Sequence, residues 1–105
     1  MTAHRGEIWW ADIPGDKRRP VLILTRERFI ATLGAVLVAP ITTKVRGIPT
    51  EVPLGEDQGL PRSCAASFDN LLTLPKSLLR ERVSRLDAER LNQACRAYRF
   101  AADCP

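Results

Sequence analysis

The sequence predicts a mainly β domain, a small and strongly curved barrel with one helix packed on it at the C-terminal end. Three observations carry this. Short runs rich in β-branched and aromatic residues succeed one another from Glu7 to Arg85, separated by Gly, Pro and Asp clusters that read as turns. One run, Ala35 to Ile41, is almost continuously apolar and therefore central. Only after Asp87 does the apolar period lengthen from two residues to that of a helix.

The first strand is Glu7–Ile13. Ile8 and Trp10 point to one face, and Trp9, Ala11 and Ile13 to the other. A small barrel has one interior, so one tryptophan is expected beneath another element or in a dimer interface, with plain partial exposure the alternative. Pro14-Gly15-Asp16 is a turn, which makes the second strand, Pro20–Thr25, antiparallel to the first. Pro20 fits the opening position of a strand, where no ladder donor is needed. Arg26 to Leu33 is polar enough for a short helical turn. The third strand is Gly34–Thr42, with Pro40 marking a bulge or edge near its end. Arg46-Gly47 turns the chain into Ile48–Leu54, an edge strand because it carries Pro49 and Pro53. A loop follows over 55–62, then short strands at Ser63–Asp69 and Leu71–Leu74 and a marginal one at Arg82–Arg85. Asp87 is an N-cap, with Leu86 and Leu91 spaced as a hydrophobic staple. Leu91, Ala94, Cys95, Tyr98 and Ala102 form the expected core stripe of the helix.

The 105 residues are expected to form a single domain spanning 1–105, able to bury roughly 65% of its unfolded surface. With 45% hydrophobic and 27% charged residues, the composition excludes a disordered chain. Sixteen Lys and Arg against twelve Asp and Glu leave +4, a bias toward polyanionic partners. Cys64, Cys95 and Cys104 are widely spaced, and His4 is the one histidine, so no metal-ligand set is spaced along the chain. Reduced cytoplasmic thiols are expected. Met1 to Gly6 holds no apolar leader, and the longest apolar run is too short to span a bilayer. The expectation is a soluble intracellular protein without membrane attachment.

Strand pairing points to where chemistry could sit. If the second and third strands are neighbours joined near 29–31, facing residues carry numbers summing to about 61. Arg19 then faces Thr42, and Lys17 lies near Lys44. Arg18, Arg19, Lys44 and Arg46 crowd one rim, with Asp16 the acid nearby. Like charges at facing positions destabilise a sheet, but each cation that neutralises a phosphate releases a counterion. RNA carries its own nucleophile, the 2′-OH. A guanidinium can hold phosphate oxygens while a threonine hydroxyl orients the reacting groups. Neither exchanges protons readily at neutral pH, so such a site would work by positioning and electrostatics. The same residues also fit a solvated cationic rim, with Arg19 capping a sheet edge and Thr42 a structural hydroxyl. Asp69-Asn70 fits a plain turn, and His4 a solvated terminal residue. Lys76, Arg80, Arg82 and Arg85 fit a solvated face or a hold on distal phosphates.

Arg5-Gly6-Glu7-Ile8-Trp9, Arg18-Arg19-Pro20-Val21-Leu22-Ile23-Leu24 and Val38-Ala39-Pro40-Ile41-Thr42-Thr43 together resemble the MazF/PemK family of toxin endoribonucleases. Phe68-Asp69-Asn70-Leu71-Leu72-Thr73-Leu74 and the closing Arg82–Leu91 segment extend the resemblance over almost the whole chain. It implies a bacterial cytoplasmic homodimer with an SH3-like barrel that cuts single-stranded RNA without a cofactor or metal. The products would be 2′,3′-cyclic phosphate and 5′-hydroxyl ends, and a cognate antitoxin, acidic and partly disordered, would cover the groove. By motif, the catalytic arginine falls on Arg19 and the catalytic threonine on Thr42. Asp69 and Asn70 fall near the RNA groove, and with Lys17, Arg18, Thr43, Lys44 and Arg46 complete the expected RNA-binding set. One departure stands out: the connection from Pro14 to Arg18 is short where many relatives carry a longer Gly- and Ser-rich loop, which puts base specificity in doubt. A gyrase poison of the CcdB type shares this fold, but relies on a C-terminal Trp-Gly-Ile tail where this chain ends Ala102-Asp103-Cys104-Pro105. A barrel that binds RNA or protein without chemistry is the third alternative.

Overall fold

The chain folds as β1 Glu7–Asp12, β2 Arg18–Ile23, α1 Glu27–Ile30, β3 Ala35–Thr42, β4 Glu51–Leu54, β5 Cys64–Ser67, β6 Leu72–Pro75, β7 Leu79–Arg85 and α2 Ala88–Ala102. This computed structural model describes residues 2–103. Cys104 and the last residue of the tail therefore lie outside the described residues. Cys64 is buried, Cys95 is half-buried, and both are free thiols. Among the described residues no helix is long and apolar enough to cross a membrane.

All pairings are antiparallel, in the order β4-β5-β3-β2-β1-β7, with β6 also on β3. The Pro14-Gly15 turn closes with Asp16 N–H donating to the Ile13 carbonyl at 3.0 Å, and Gly15 sits at φ +77°. There an L side chain would be strained. β3 is the hub. One edge pairs with β2 through Val38–Pro40. The other pairs first with β6 through Ala35–Val38 and then with β5 at Ile41 and Thr42. Pro40, which has no N–H, falls in the gap between those two partners.

Alternation along β3 sends residues to two different cores. Val36 and Val38 join Trp9, Ala11, Val21, Ile23, Ile30, Leu74 and Leu79 on one face. Ala39 and Ile41 join Ile8, Leu22, Val52, Leu54, Phe68 and helix residues Ala94 and Ala97 on the other. Trp9, 4% exposed, therefore lies inside the protomer. The two-faced first strand serves two packed clusters, yet Trp10 belongs to neither and stays half-buried. Nor is the sheet closed. Among the described residues β4 and β7 end the pairing path without pairing to each other, and α2 packs on β4.

Other expectations shift by a few residues. Pro20 is the third residue of β2, paired to Trp10 just before the ladder to β3 begins, so the strand there is paired on one side. β4 starts only at Glu51, whose N–H closes a turn on the Ile48 carbonyl at 2.9 Å. β7 runs seven residues, not four, because an edge strand tolerates exposed charges such as Arg80, Glu81 and Arg82. Asp87 caps α2 as expected, accepting from Arg90 N–H at 2.8 Å. The helix, however, is rolled partway from the expected stripe, of which Ala94 stays buried. Its small residues Ala94 and Ala97 meet the sheet, while Tyr98 is 47% exposed. Alanines permit close approach to Val52 and Leu54. Leu91, Cys95 and Tyr98 instead line an apolar groove of about 600 Å³ with Leu24 and Leu37.

A cationic cleft at the end of the central strands

The β2–β3 ladder pairs Val21 with Pro40, Leu22 with Ala39 and Ile23 with Val38, the register expected from the sequence. Extending it two residues brings Arg19 beside the Thr42 end of β3. Arg19 is anchored from both sides. Its Nε donates to Asp16 Oδ2 at 3.1 Å, Nη2 lies 3.0 Å from the same oxygen, and Nη1 donates to the Ile41 carbonyl at 3.4 Å. A guanidinium has five N–H groups, so both terminal nitrogens keep donors uncommitted. Asp16 Oδ1 accepts from Lys17 N–H at 2.7 Å. That bond, with the charge of Arg19, holds the Asp16 carboxyl below the usual range. Thr42 Oγ1 accepts from Lys44 N–H at 3.1 Å, which leaves the hydroxyl proton free to donate.

Two pockets adjoin at these side chains. The first, about 620 Å³, is lined by Ile13, Asp16, Arg19, Pro40, Thr42, Lys44, Arg46, Ser67, Asn70 and Leu72. The second, about 540 Å³, is lined by Trp10, Lys17, Arg18, Arg19, Pro20, Ile41, Thr42, Thr43, Lys44 and Arg62. Arg19, Thr42 and Lys44 line both. The loop after β3 is tied down by Glu51, whose side chain is 2% exposed. Its Oε1 accepts from Arg46 N–H and Gly47 N–H, each at 2.9 Å, and Gly47 takes φ +69°. Oε2 has no hydrogen bond and lies 3.8 Å from Arg46 Nε.

Of the residues singled out in the sequence, Arg19, Thr42, Lys44, Arg46 and Asn70 meet in the first pocket, and Lys17, Arg18 and Thr43 join in the second. Asn70 Nδ2 donates to Ser67 Oγ at 2.9 Å. Asp69 lines neither pocket; it is exposed and accepts from Thr50 Oγ1 at 2.6 Å. Arg18 is shared with Asp12 at 2.8 Å, which also takes Arg80 at 2.6 Å. Arg82 is bound by Glu7, Lys76 Nζ donates to the Ile30 carbonyl, and Arg85 lies 4.0 Å from Glu27. The face formed by these four cations is thus engaged within the protomer. His4 Nδ1 likewise lies 2.7 Å from Glu27 Oε2. Among the described residues no group of three or more His, Cys, Asp or Glu is gathered for a metal ion.

Sequence reasoning missed Trp10, Arg62, Ser67 and the anchoring role of Glu51. The surplus tryptophan was a signal for the first. Arg62 and Glu51 carried none, because their placement depends on how the loops fold back.

The family model of PemK-like, MazF-like toxins of type II toxin–antitoxin systems matches residues 4–100. A probable endoribonuclease, MazF2, of Mycobacterium tuberculosis is 41% identical over 102 residues, covering 96% of this chain and 99% of the relative. The solved M. tuberculosis toxin MazF-mt6 superposes with a TM-score of 0.88 at 40% identity, covering 94% of this chain and 98% of that one. An endoribonuclease from a mycobacterial species, solved in complex with its cognate antitoxin, gives 0.88 at 26% identity over 99% and 98% of the two chains. The fold, the ordered motifs and these matches lead to one conclusion: the chain belongs to the PemK-like, MazF-like toxin family of type II toxin–antitoxin systems.

Proposed function

We propose that this protein is an endoribonuclease that cuts single-stranded RNA by attack of the 2′-OH on the adjacent phosphorus. The observation that carries the reading is the meeting of Arg19 and Thr42 at the wall shared by two cation-lined pockets. With the phosphate at that wall, the uncommitted N–H groups of Arg19 face its non-bridging oxygens. There they stabilise the charge that gathers as the fifth bond to phosphorus forms. The Thr42 hydroxyl donates a hydrogen bond to a phosphate oxygen and fixes the in-line approach. The 2′-oxygen loses its proton and bonds to phosphorus, the bond to the 5′-oxygen breaks, and that oxygen takes up a proton. The ends are a 2′,3′-cyclic phosphate and a 5′-hydroxyl. Water in the open cleft carries both protons, and no metal enters the step. Lys17, Lys44, Arg46 and Asn70 hold the flanking backbone. Arg18 acts through the second pocket, and Asp69 sits at the margin.

The protein acts as a homodimer in the bacterial cytoplasm and is held inactive by a cognate antitoxin. The relatives named endoribonucleases and the solved neighbour bound to its antitoxin support this reading. Incubating the purified protein with a long single-stranded RNA in EDTA tests it. Cleavage that leaves 5′-hydroxyl ends is expected. Intact RNA together with stalled gyrase would replace the proposal with a gyrase poison.

A further inference from the structure

Given the RNA-cleaving reading above, on which this step rests, we infer that Glu51 is a positioning residue for RNA binding. Its buried carboxylate sets Arg46 at the rim of the Asn70 pocket, where the guanidinium takes a phosphate flanking the scissile one. Glu51 opens β4 and pairs with Ser67 of β5, so its backbone belongs to the sheet. Its side chain is 2% exposed, and the loop it serves, 43–50, holds no strand or helix. A residue fixed in the sheet thus reaches back to an irregular segment that carries a cleft cation.

The two carboxylate oxygens have different tasks. Oε1 accepts from the successive N–H groups of Arg46 and Gly47, with Gly47 left-handed, as when a backbone turn closes on an anion. That fixes the main chain. Oε2 is buried and takes no hydrogen bond among the described residues. An acceptor in that state costs free energy unless something compensates it. The cation within reach is Arg46 itself, with Nε 3.8 Å away, inside ion-pair range and beyond a hydrogen bond. Its guanidinium is otherwise unpaired among the described residues, is 62% exposed and lines the Asn70 pocket. A long side chain on an irregular loop samples many rotamers, and freezing it on binding costs affinity. A fixed negative charge beside Nε narrows that choice before RNA arrives and leaves the terminal N–H groups for a phosphate. Lys44 is held by other means, its N–H donating to Thr42 Oγ1, and so provides a control.

Glu51→Gln separates the two tasks. The amide oxygen can still accept from Arg46 and Gly47, while an NH2 group replaces Oε2 and no longer attracts the guanidinium. The probe is a mixed-sequence single-stranded oligonucleotide carrying 2′-O-methyl groups throughout, and therefore uncleavable. Glu51→Gln should bind it about tenfold more weakly, the loss of one charge-assisted hydrogen bond. The slope of log K against log salt should fall by about 0.7, one phosphate on a single strand. Removing a negative charge beside a phosphate site would by itself tighten binding, so weaker binding is the informative sign. Arg46→Ala should show the same losses, and adding Glu51→Gln to it should cost nothing further. Glu51→Gln and Lys44→Ala should instead add, lowering the slope by about 1.4. Single-turnover cleavage at saturating RNA should stay at the wild-type rate. A folded Glu51→Gln variant that binds as well as wild type, or better, overturns the inference. So does a loss that adds to that of Arg46→Ala, or a slower step at saturation. If Glu51→Gln does not fold, Glu51→Asp, which draws the charge back from Arg46 by one methylene, is read against Arg46→Ala in the same cycle. Failure of wild type to bind or cut any RNA would be the separate failure of the proposed function.

Discussion

Arg19→Lys keeps a positive charge at the head of the cleft and discards the planar fork of donors, so it separates holding RNA from cutting it. Affinity and its salt slope should change little, while the single-turnover rate falls roughly 100- to 1,000-fold, as when one oxyanion-stabilising donor is lost. Thr42→Ala should act in the same direction. The double variant should lose less than the two effects combined, because both groups serve one phosphate. Lys44→Ala should chiefly weaken binding and flatten its salt dependence by about 0.7. A folded Arg19→Lys protein that cleaves saturating RNA at the wild-type rate would sink the assignment. At this scale the sequence was informative where local arithmetic sufficed. A hairpin joined near residues 29–31 leaves little choice of register, and that register carries Arg19 to Thr42. It was silent where a side chain folds back on its own loop. Glu51 looks like an ordinary edge-strand residue until its carboxylate is seen binding the backbone of Arg46 and Gly47.

Among the elements, β1 and β7 are joined by a buried carboxylate with a pH signature. Glu7, 3% exposed, accepts from Arg82 Nε at 2.5 Å, His4 N–H at 2.7 Å and Trp9 Nε1 at 3.1 Å. Burial alone would raise its pKa, but these hydrogen bonds, with the charge of Arg82, outweigh it and hold the carboxyl below its ordinary value. The folded pKa is therefore lower than the unfolded one. The stabilisation is complete above the ordinary glutamate value of about 4.3 and is lost as pH falls through the folded pKa. Glu7→Gln should be about 1–2 kcal/mol less stable at pH 7, a modest figure because Arg82 is half-exposed. The deficit should shrink below about pH 4 in paired urea titrations; a constant deficit would refute the linkage. At the head of α2, Asp87→Ala should cost about 1 kcal/mol by thermal melting, the usual value of a side-chain N-cap. That cap was readable from the sequence because it is a local motif. The buried face of α2 was readable only at Ala94, since a helix offering both Leu91–Cys95–Tyr98 and Ala94–Ala97 can roll either way. The sheet chose the alanines. β7 was read short because charge masks alternation on an edge strand.

For the whole molecule, the expected assembly is a dimer. Light scattering at micromolar concentration should report about twice the 11.7 kDa chain mass. A stable monomer that still cuts RNA would remove the dimer from the proposed function. The tryptophan pattern bears on that expectation only through the half-buried Trp10, because Trp9 is accounted for within one protomer. The curved antiparallel architecture was legible from strand lengths and turn residues. Its two cores were not, because alternation shows that both faces of a strand are apolar without showing what covers each. Reading one interior forced a partner onto a strand that already had two.

The division of β3 between its partners has a consequence for the life of the chain. Thr42 is held in alignment only when β3 is locked on both edges, and the strands that lock its second edge, β5 and β6, come later in the sequence at 64–75. A slip of one residue would empty both cores at once and turn Thr42 to the opposite face. The hairpin of β2 and β3 alone can thus bring Arg19 beside Thr42, but the second edge that holds that register against slippage is supplied only by the later half of the chain.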